Sequence, residues 1–229
     1  NKYSNNEISI EIDNRLKTTF ERSFPSFNFI LQQPPIVKGY DYIFPIGHLG
    51  FYFGKDTNCF PKNFPYLFPN FKKLRYFKKK YQKLFPNKRL VGFSWKTTSS
   101  QTKELRSIPL KEFLQITTDS QIQWINLQYK MTEEEKQTLS LKKNIYTDPE
   151  LDVFEDIDSL CALLSSLDQV ITIDNSTVHL CGALGVPTFN LIGYFPNWAW
   201  GISRKTPLWY SNMKLLRQNK IGHWSETLH

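Results

Sequence analysis

The sequence predicts an α/β protein built on a Rossmann-like parallel sheet flanked by helices. Three observations predict it. From Arg89 onward, short β-branched and apolar runs alternate with helical patterns, the order that produces βαβ units and a parallel sheet. Hydrophobic residues make up 40% of the 229 positions, enough to form a core in one large or two small domains. Two of the runs, RLVGFSWK at 89–96 and QVITIDNSTVH at 169–179, end in polar clusters. Ligands of open parallel sheets bind at such carboxyl ends.

Residues 1–86 read as a partial α/β unit with a linker helix. ISIEI (8–12) is a strand, and Asp13 is placed to cap a helix that runs to about Ser23. FNFIL (27–31) is a second strand, closed by Gln32-Gln33-Pro34-Pro35. YDYIFPI (40–46) reads as a third strand or strand-like run. Residues 54–70, rich in Phe, Pro and Asn, are an irregular connection. Leu74, Phe77, Tyr81 and Leu84 recur between lysines, so 70–84 is an amphipathic helix. Pro86-Asn87 ends this unit.

Residues 87–229 form the second unit. RLVGFSW (89–95) is a buried strand, 96–106 a polar loop and PLKEFLQIT (109–117) a short helix. IQWINLQ (122–128) and NIYTD (144–148) are strands on either side of a charged helix at 132–142. DIDSLCALLSSL (156–167) places Ile157, Leu160, Cys161, Leu164 and Leu167 on one helical face. QVITID, TVHLCGAL and PTFNLIG follow as strand, helix and strand.

The formal net charge is +8, which suits an anionic partner. Much of it lies in Lys72, Lys73, Arg75, Lys78, Lys79, Lys80, Lys83, Lys88 and Arg89. Two readings stand: a solvated helix with its apolar face on the core, or a membrane-surface or nucleic-acid patch. No run reaches the roughly 18 apolar residues of a membrane span, and Asn1-Lys2-Tyr3-Ser4 opens no signal-peptide pattern. The three cysteines, Cys59, Cys161 and Cys181, form no CxxC pair, and the last two sit in apolar helical patterns as small hydrophobes. A reducing, cytoplasmic setting is expected. Four histidines without an HxxxH pair offer no metal site.

The helix after VITID begins at Ser176 or Thr177. Its first N–H groups lack intrahelical partners and carry the positive end of the dipole. Asn175, Ser176 and Thr177 surround that end, with His179 a half-turn on: a recipe for a phosphate or diphosphate site. An ordinary helix capped by Asn175 or Ser176 fits the same residues. Ser94 and Lys96 close the other strand, followed by a loop with Lys103 and Arg106. Lys96 either reaches into the same crevice or is a solvated loop lysine. The two clusters together favour a bound anion.

DQVITIDNSTVHLCGALGVPTFNLIGYFPNWAW and SRKTPLWYSNMKLLRQ resemble the C-terminal half of bacterial GT-B glycosyltransferases. The similarity is to those joined to tetratricopeptide repeats, related to heptosyltransferases and more distantly to O-linked N-acetylglucosamine transferase. LVGFSWK, RSIPLKEF and WINLQ follow the same order, and IEIDNRLKTTFERSFPSFNFI and YDYIFPIGHLGFYFG resemble the end of the family's N-terminal half. The resemblance implies a nucleotide-sugar donor, no cofactor and no metal, with inversion as in the nearest relatives. It puts Asn175, Ser176, Thr177 and His179 at the diphosphate, and Lys96 against the charge that develops on the leaving group. Ser94, Gln128, Trp198 and Arg204 are assigned to nucleotide and sugar, with Trp200 as a second stacking candidate. Asp156 and Asp174 are taken as loop and cap residues.

The implied partners are the donor and a glycan, lipid-linked or protein acceptor, with no nucleic acid. The basic run at 72–89 adds peripheral contact with an anionic membrane at its cytoplasmic face as an expectation. The chain lacks the repeats. About 85 residues precede the second unit where a full lobe takes roughly 120–180, so the N-terminal lobe is expected to be truncated and the catalytic base in doubt. His48 in PIGHLG is the candidate base. The alternatives are a noncatalytic nucleotide-sugar-binding module and a basic membrane-surface or nucleic-acid-binding protein.

Overall fold

Asp13 starts the first helix as expected. Its carboxylate accepts the Arg15 N–H at 2.9 Å and caps α1 (Asn14–Ser23). This helix links β1 (Ser9–Ile12) to β2 (Asn28–Leu31), which pair in parallel as a two-stranded sheet. The computed structural model describes residues 7–31, 39–53, 56, 65–98 and 103–228. Cys59, Gln32 to Pro35 and most of the expected irregular stretch at 54–70 lie outside the described residues.

The strand expected over 40–46 does not form. The chain instead enters a 3-10 turn at Ile46–His48 and a short helix α2 (Leu49–Phe53), and residues 39–52 are all exposed. Pro45 brings no N–H to a ladder, and no neighbouring strand pairs with this segment among the described residues. An alternating aromatic pattern makes a strand only when one face is covered.

Asn70 caps α3 (Phe71–Leu84) by accepting the Lys72 and Lys73 N–H groups. The second unit then supplies β3 (Arg89–Phe93), α4 (Lys103–Arg106), α5 (Leu110–Phe113), β4 (Ile122–Asn126), α6 (Glu133–Ser140) and β5 (Ile145–Tyr146). It continues with α7 (Ile157–Leu164), β6 (Gln169–Ile173), α8 (Ser176–Leu184), β7 (Thr188–Ile192), β8 (Met213–Arg217) and α9 (Ser225–Leu228). The six strands lie in the order β5-β4-β3-β6-β7-β8, and every pairing is parallel. The order reverses between β3 and β6, which makes their carboxyl ends the topological switch point.

The strands alternate between two packed faces. Leu90, Ile125, Leu127 and Val170 meet α7 and α8 on one side. Val91, Phe93, Trp95, Trp124 and Ile173 meet Phe113 and Leu139 on the other, where the Phe93 ring stacks on Phe113 at 5.4 Å. Gly92 leaves room on the first face: a Cβ there would lie 2.6 Å from Leu167 Cδ1 and 2.7 Å from Leu127 Cδ1, so both leucine ends would have to shift.

α1 and α3, read from the sequence as parts of the first unit, both lie on α7. Arg22 and Lys73 converge on Asp158 at the start of α7. Burial raises the Asp158 pKa, but the two cations outweigh it and hold it below the usual carboxylate value. Two elements are shorter than their patterns suggested. The helix over 109–117 divides into α5 and a 3-10 turn (Leu114–Ile116), and the strand over 144–148 keeps two residues. The polar loop at 96–106 ends in α4. Cys161 and Cys181 are fully buried, and burial pushes both thiols up to about 12.

Candidate functional site

The polar residues that close β3 and β6 meet at the switch point. The Ser94 N–H continues the ladder to the Ile171 carbonyl, which brings Ser94 beside Thr172. Asn175 Nδ2 donates to Ser94 Oγ at 3.0 Å, Ser94 Oγ lies 2.5 Å from Thr172 Oγ1, and Thr172 Oγ1 donates to Asn175 Oδ1 at 3.3 Å. Either hydroxyl can donate across the Ser94–Thr172 contact, and the three side chains form a closed ring. All three are buried. Asn175 Oδ1 also caps α8 through the Val178 N–H at 3.4 Å. Asn175 therefore does what the capped-helix reading expected, and it fixes the helix end to β3 as well. The Ser176 and Thr177 N–H groups, which have no intrahelical acceptor, lie at that end. Ser176 is exposed and Thr177 is buried.

Gln128 braces the exit of β3. Its Oε1 accepts the Trp95 and Lys96 N–H groups, each at 3.0 Å, and its Nε2 donates to the Tyr129 carbonyl at 3.0 Å. Lys96 Nζ pairs with the Glu135 carboxylate, with 12% of its side chain exposed. Glu135 belongs to the capping box of α6 and accepts the Thr132 N–H at 2.7 Å. Burial raises its pKa, but Lys96 and the Thr132 N–H outweigh this and lower it overall.

A second cation, placed by sequence only in a polar loop, stands over β6. Arg106 Nη1 lies 3.3 Å from Asp174 Oδ2. That oxygen is buried and makes no hydrogen bond. α4, which carries Arg106, is held to the exits of two other strands. The Ile108 N–H donates to the Trp95 carbonyl at 2.8 Å, and the Thr97 N–H to Ser107 Oγ at 3.2 Å. On the other side the Leu105 carbonyl oxygen sits 2.3 Å from where a Cβ on Gly193 would be. The pattern SWKTTSSQTKELRSIPL contains Arg106, but nothing local in it points to Asp174.

His179 stacks on Trp200 with centroids 5.0 Å apart, and its Nδ1 is 3.1 Å from the Tyr210 hydroxyl. This packing withdraws the ring from water and lowers its pKa, with Asp174 opposing the shift. The residue stays exposed on its outer side. Trp200 is fully buried and Trp198 is 80% exposed, edge-on to Trp209. The Arg204 side chain is exposed, while its carbonyl accepts from Arg217. His48 is exposed on its 3-10 turn, and its side chain makes no hydrogen bond or ion pair among the described residues.

The structure thus joins Ser94, Asn175, Ser176 and Thr177 at one helix end, with Lys96 and Gln128 at the neighbouring strand exit. His48, Trp198 and Arg204 are not drawn into that contact network. A helix N-terminus with cations beside it stabilises anionic oxygens. Among the described residues, no three His, Cys, Asp or Glu side chains are grouped to hold a metal ion.

No protein-family model matches the chain. Protein FlbA of Caulobacter vibrioides is 26% identical over 240 residues, which cover 96% of this chain and 39% of FlbA. The chain therefore spans about two-fifths of that relative's length. Among solved structures, E. coli ADP-heptose lps heptosyltransferase II superposes with a TM-score of 0.52 at 14% identity, covering 77% of this chain and 53% of that one. The glycosyl transferase family 9 protein from Veillonella parvula gives 0.48 at 14% identity, with 71% and 45% covered. The fold is α/β with a parallel central sheet flanked by helices, shared with a glycosyltransferase of the GT-B type.

Proposed function

We propose that this chain is the nucleotide-sugar-binding part of a heptosyltransferase-like glycosyltransferase. The observation that carries the reading is the N-terminus of α8 at the switch point, where β6 follows β3 in the sheet. The donor diphosphate lies across the Ser176 and Thr177 N–H groups, with Lys96 and His179 at its margins. As the glycosyl–oxygen bond breaks, negative charge grows on the leaving phosphate, and fixed N–H dipoles with a nearby cation stabilise it there. Protein groups then supply the positive charge without a metal ion, and attack by the acceptor hydroxyl inverts the anomeric carbon. The Ser94–Thr172–Asn175 ring holds the helix end in place, and Gln128 does the same for the strand exit. The glycan, lipid-linked or protein acceptor is bound, and the base supplied, by segments of the longer protein, with tetratricopeptide repeats among its expected parts.

α3 supports an accompanying cytoplasmic, peripheral membrane contact. Lys73 and Lys80 turn inward to carboxylates, while Lys72, Arg75, Lys78, Lys79 and Lys83 are exposed. Each cation near an anionic lipid surface contributes about 1 kcal/mol. No helix among the described residues is long and apolar enough to cross a membrane.

The test is a thermal-shift screen with ADP, GDP, UDP, CMP and their sugar conjugates. A ligand at a hundredfold excess over its dissociation constant stabilises the fold by about 2.7 kcal/mol. A selective shift with one diphosphate is expected, weakened by Lys96→Ala. No shift with any of them, in a sample that melts cooperatively, overturns the reading. The alternative is a noncatalytic nucleotide-sugar-binding module. Donor binding without hydrolysis or transfer by the full-length protein would select it.

A further inference from the structure

We propose that the groove between α3, the loop after β5 and the start of α7 binds the headgroup of an anionic phospholipid. This rests on the peripheral membrane contact proposed above and gives that contact a lipid site lined by residues other than those of the donor crevice.

The groove has a volume of about 350 Å³, within the range of small-molecule sites. Its base is apolar. Phe77 is buried and Leu151 partly buried, and both pack with the core under α7. The Tyr76 ring lines the groove and is 51% exposed.

The charges around the groove are unevenly satisfied. Glu150 Oε2 accepts from the Tyr76 hydroxyl and from Lys80 Nζ, each at 2.7 Å. Lys73 Nζ lies 3.0 Å from Asp158 Oδ2 and 3.6 Å from Asp156 Oδ1, and Arg22 also holds Asp158. Lys72 lines the groove, is exposed and has no ion pair among the described residues. Its ammonium is the cation available to a phosphate. Lys73 can turn one of its three donors to the same oxygens, because Arg22 stays on Asp158.

Lys72 also begins a stripe. Lys72, Arg75, Lys79 and Lys83 follow at i, i+3, i+7 and i+11 along α3, and all four are exposed; that spacing keeps them on one helical face. α3 contains no acidic residue. Phe71, a turn before Arg75, is 59% exposed. Cations along a helix with an aromatic ring among them suit an anionic lipid surface, and Lys72 belongs to both stripe and groove. A free phosphate would meet Lys72 and leave the apolar base wet. A phospholipid covers that base with its glycerol and first chain carbons, so affinity depends on charge and apolar burial together.

Two measurements separate groove from stripe. Isothermal titration with dihexanoyl phosphatidylglycerol, below its micelle concentration, reads the groove. Co-sedimentation with phosphatidylcholine vesicles, with and without phosphatidylglycerol, reads groove and stripe together. Wild type should bind the short-chain lipid and the anionic vesicles, and glycerol phosphate about tenfold more weakly than the short-chain lipid. Leu151→Trp fills the groove without changing the charge and should weaken the short-chain lipid about tenfold or more. Arg75→Ala should weaken vesicle binding about fivefold, the effect of one cation near an anionic surface, and leave the short-chain lipid unchanged. Lys72→Ala should weaken both, and it keeps the test open should Leu151→Trp unfold. Melting of each variant separates lost affinity from lost folding. Glycerol phosphate bound as tightly as the short-chain lipid overturns the proposal, as do folded Leu151→Trp and Lys72→Ala proteins that bind the short-chain lipid like wild type. Vesicle binding weakened alike by Lys72→Ala and Arg75→Ala, with the short-chain lipid unbound, overturns the groove and leaves the membrane contact standing. A wild type that binds neither anionic vesicles nor the short-chain lipid overturns both.

Discussion

Two polar clusters in this protein are built to opposite standards. Where α3 meets the loop after β5, the Tyr81 hydroxyl donates to Asp148 at 2.8 Å, and Lys80 bonds Asp148 at 2.9 Å and Glu150 at 2.7 Å. Tyr81 is fully buried and each of these groups has a partner. Burial and the Asp148 charge raise the Tyr81 pKa, and although burial alone opposes the Lys80 charge, its two carboxylate partners raise its pKa overall. At the switch point, a closed ring of Ser94, Thr172 and Asn175 sits beside a carboxylate oxygen with no hydrogen bond. A satisfied buried network locks elements together, whereas an unsatisfied group is retained against its cost. The first cluster fastens α3 to the sheet. The second leaves bonding capacity where a parallel sheet offers a ligand its crevice.

The largest effect should come from the fastening cluster. Tyr81→Ala removes a fully buried ring and takes the hydroxyl donor from Asp148 Oδ2, a loss of about 3–5 kcal/mol. Tyr81→Phe keeps the ring and should cost about 1–3 kcal/mol. Chemical denaturation measures both. Equal stability of Tyr81→Phe and wild type would break the contrast, because the network would then contribute nothing.

Gly193→Ala comes next. The new Cβ would meet the Leu105 carbonyl at 2.3 Å, so α4 must move, at about 1–3 kcal/mol for overpacking. Arg106 moves with it. Diphosphate affinity should fall further than the melting temperature alone explains, which ties the crevice to the seat of α4.

Asn175→Ala should cost about 1–2 kcal/mol, the value of a lost N-cap, because Ser94 also loses its donor. An unchanged melting temperature would mean that the ring is dispensable and that α8 is held by its apolar side alone.

The parts that were legible in the sequence are local. The Asp13 cap sits beside the helix it starts, and short apolar runs marked five of the six strands of the larger sheet. Asn175 was legible as a cap, and the polar ends of β3 and β6 as a site, because both signals occupy a few consecutive positions. The pairing of Lys96 with Glu135, 39 residues apart, depends on which strands become neighbours, and no pattern in either segment states that. Arg106 and Asp174 were hidden for the same reason. The run at 40–46 misled in the other direction, because its alternation describes a face that only a covering partner turns into a strand.

His179 offers the smallest and most specific effect. Its ring is pressed against Trp200 and its pKa lies below the ordinary histidine value of about 6.5, with burial as the main cause and Asp174 in opposition. The folded state therefore favours the neutral ring, and the unfolded chain binds the extra proton first as pH falls. Stability contributed by this residue is complete above about pH 6.5 and declines as pH falls from there toward the folded value. His179→Gln should remove that slope while leaving the acid transition below about pH 4, where Asp158 and Glu135 lose their cation partners. Melting temperatures of the two proteins, measured from pH 7.5 down through the range on the order of pH 5–7, decide the matter. Parallel curves would show that the ring is solvated on both sides and that its stacking on Trp200 does not set its charge. Converging curves with a steeper wild type would place His179 with the packed side of the crevice. Its imidazole would then meet a bound diphosphate as a neutral hydrogen-bonding group, and the positive charge there would come from the α8 terminus and its neighbouring cations.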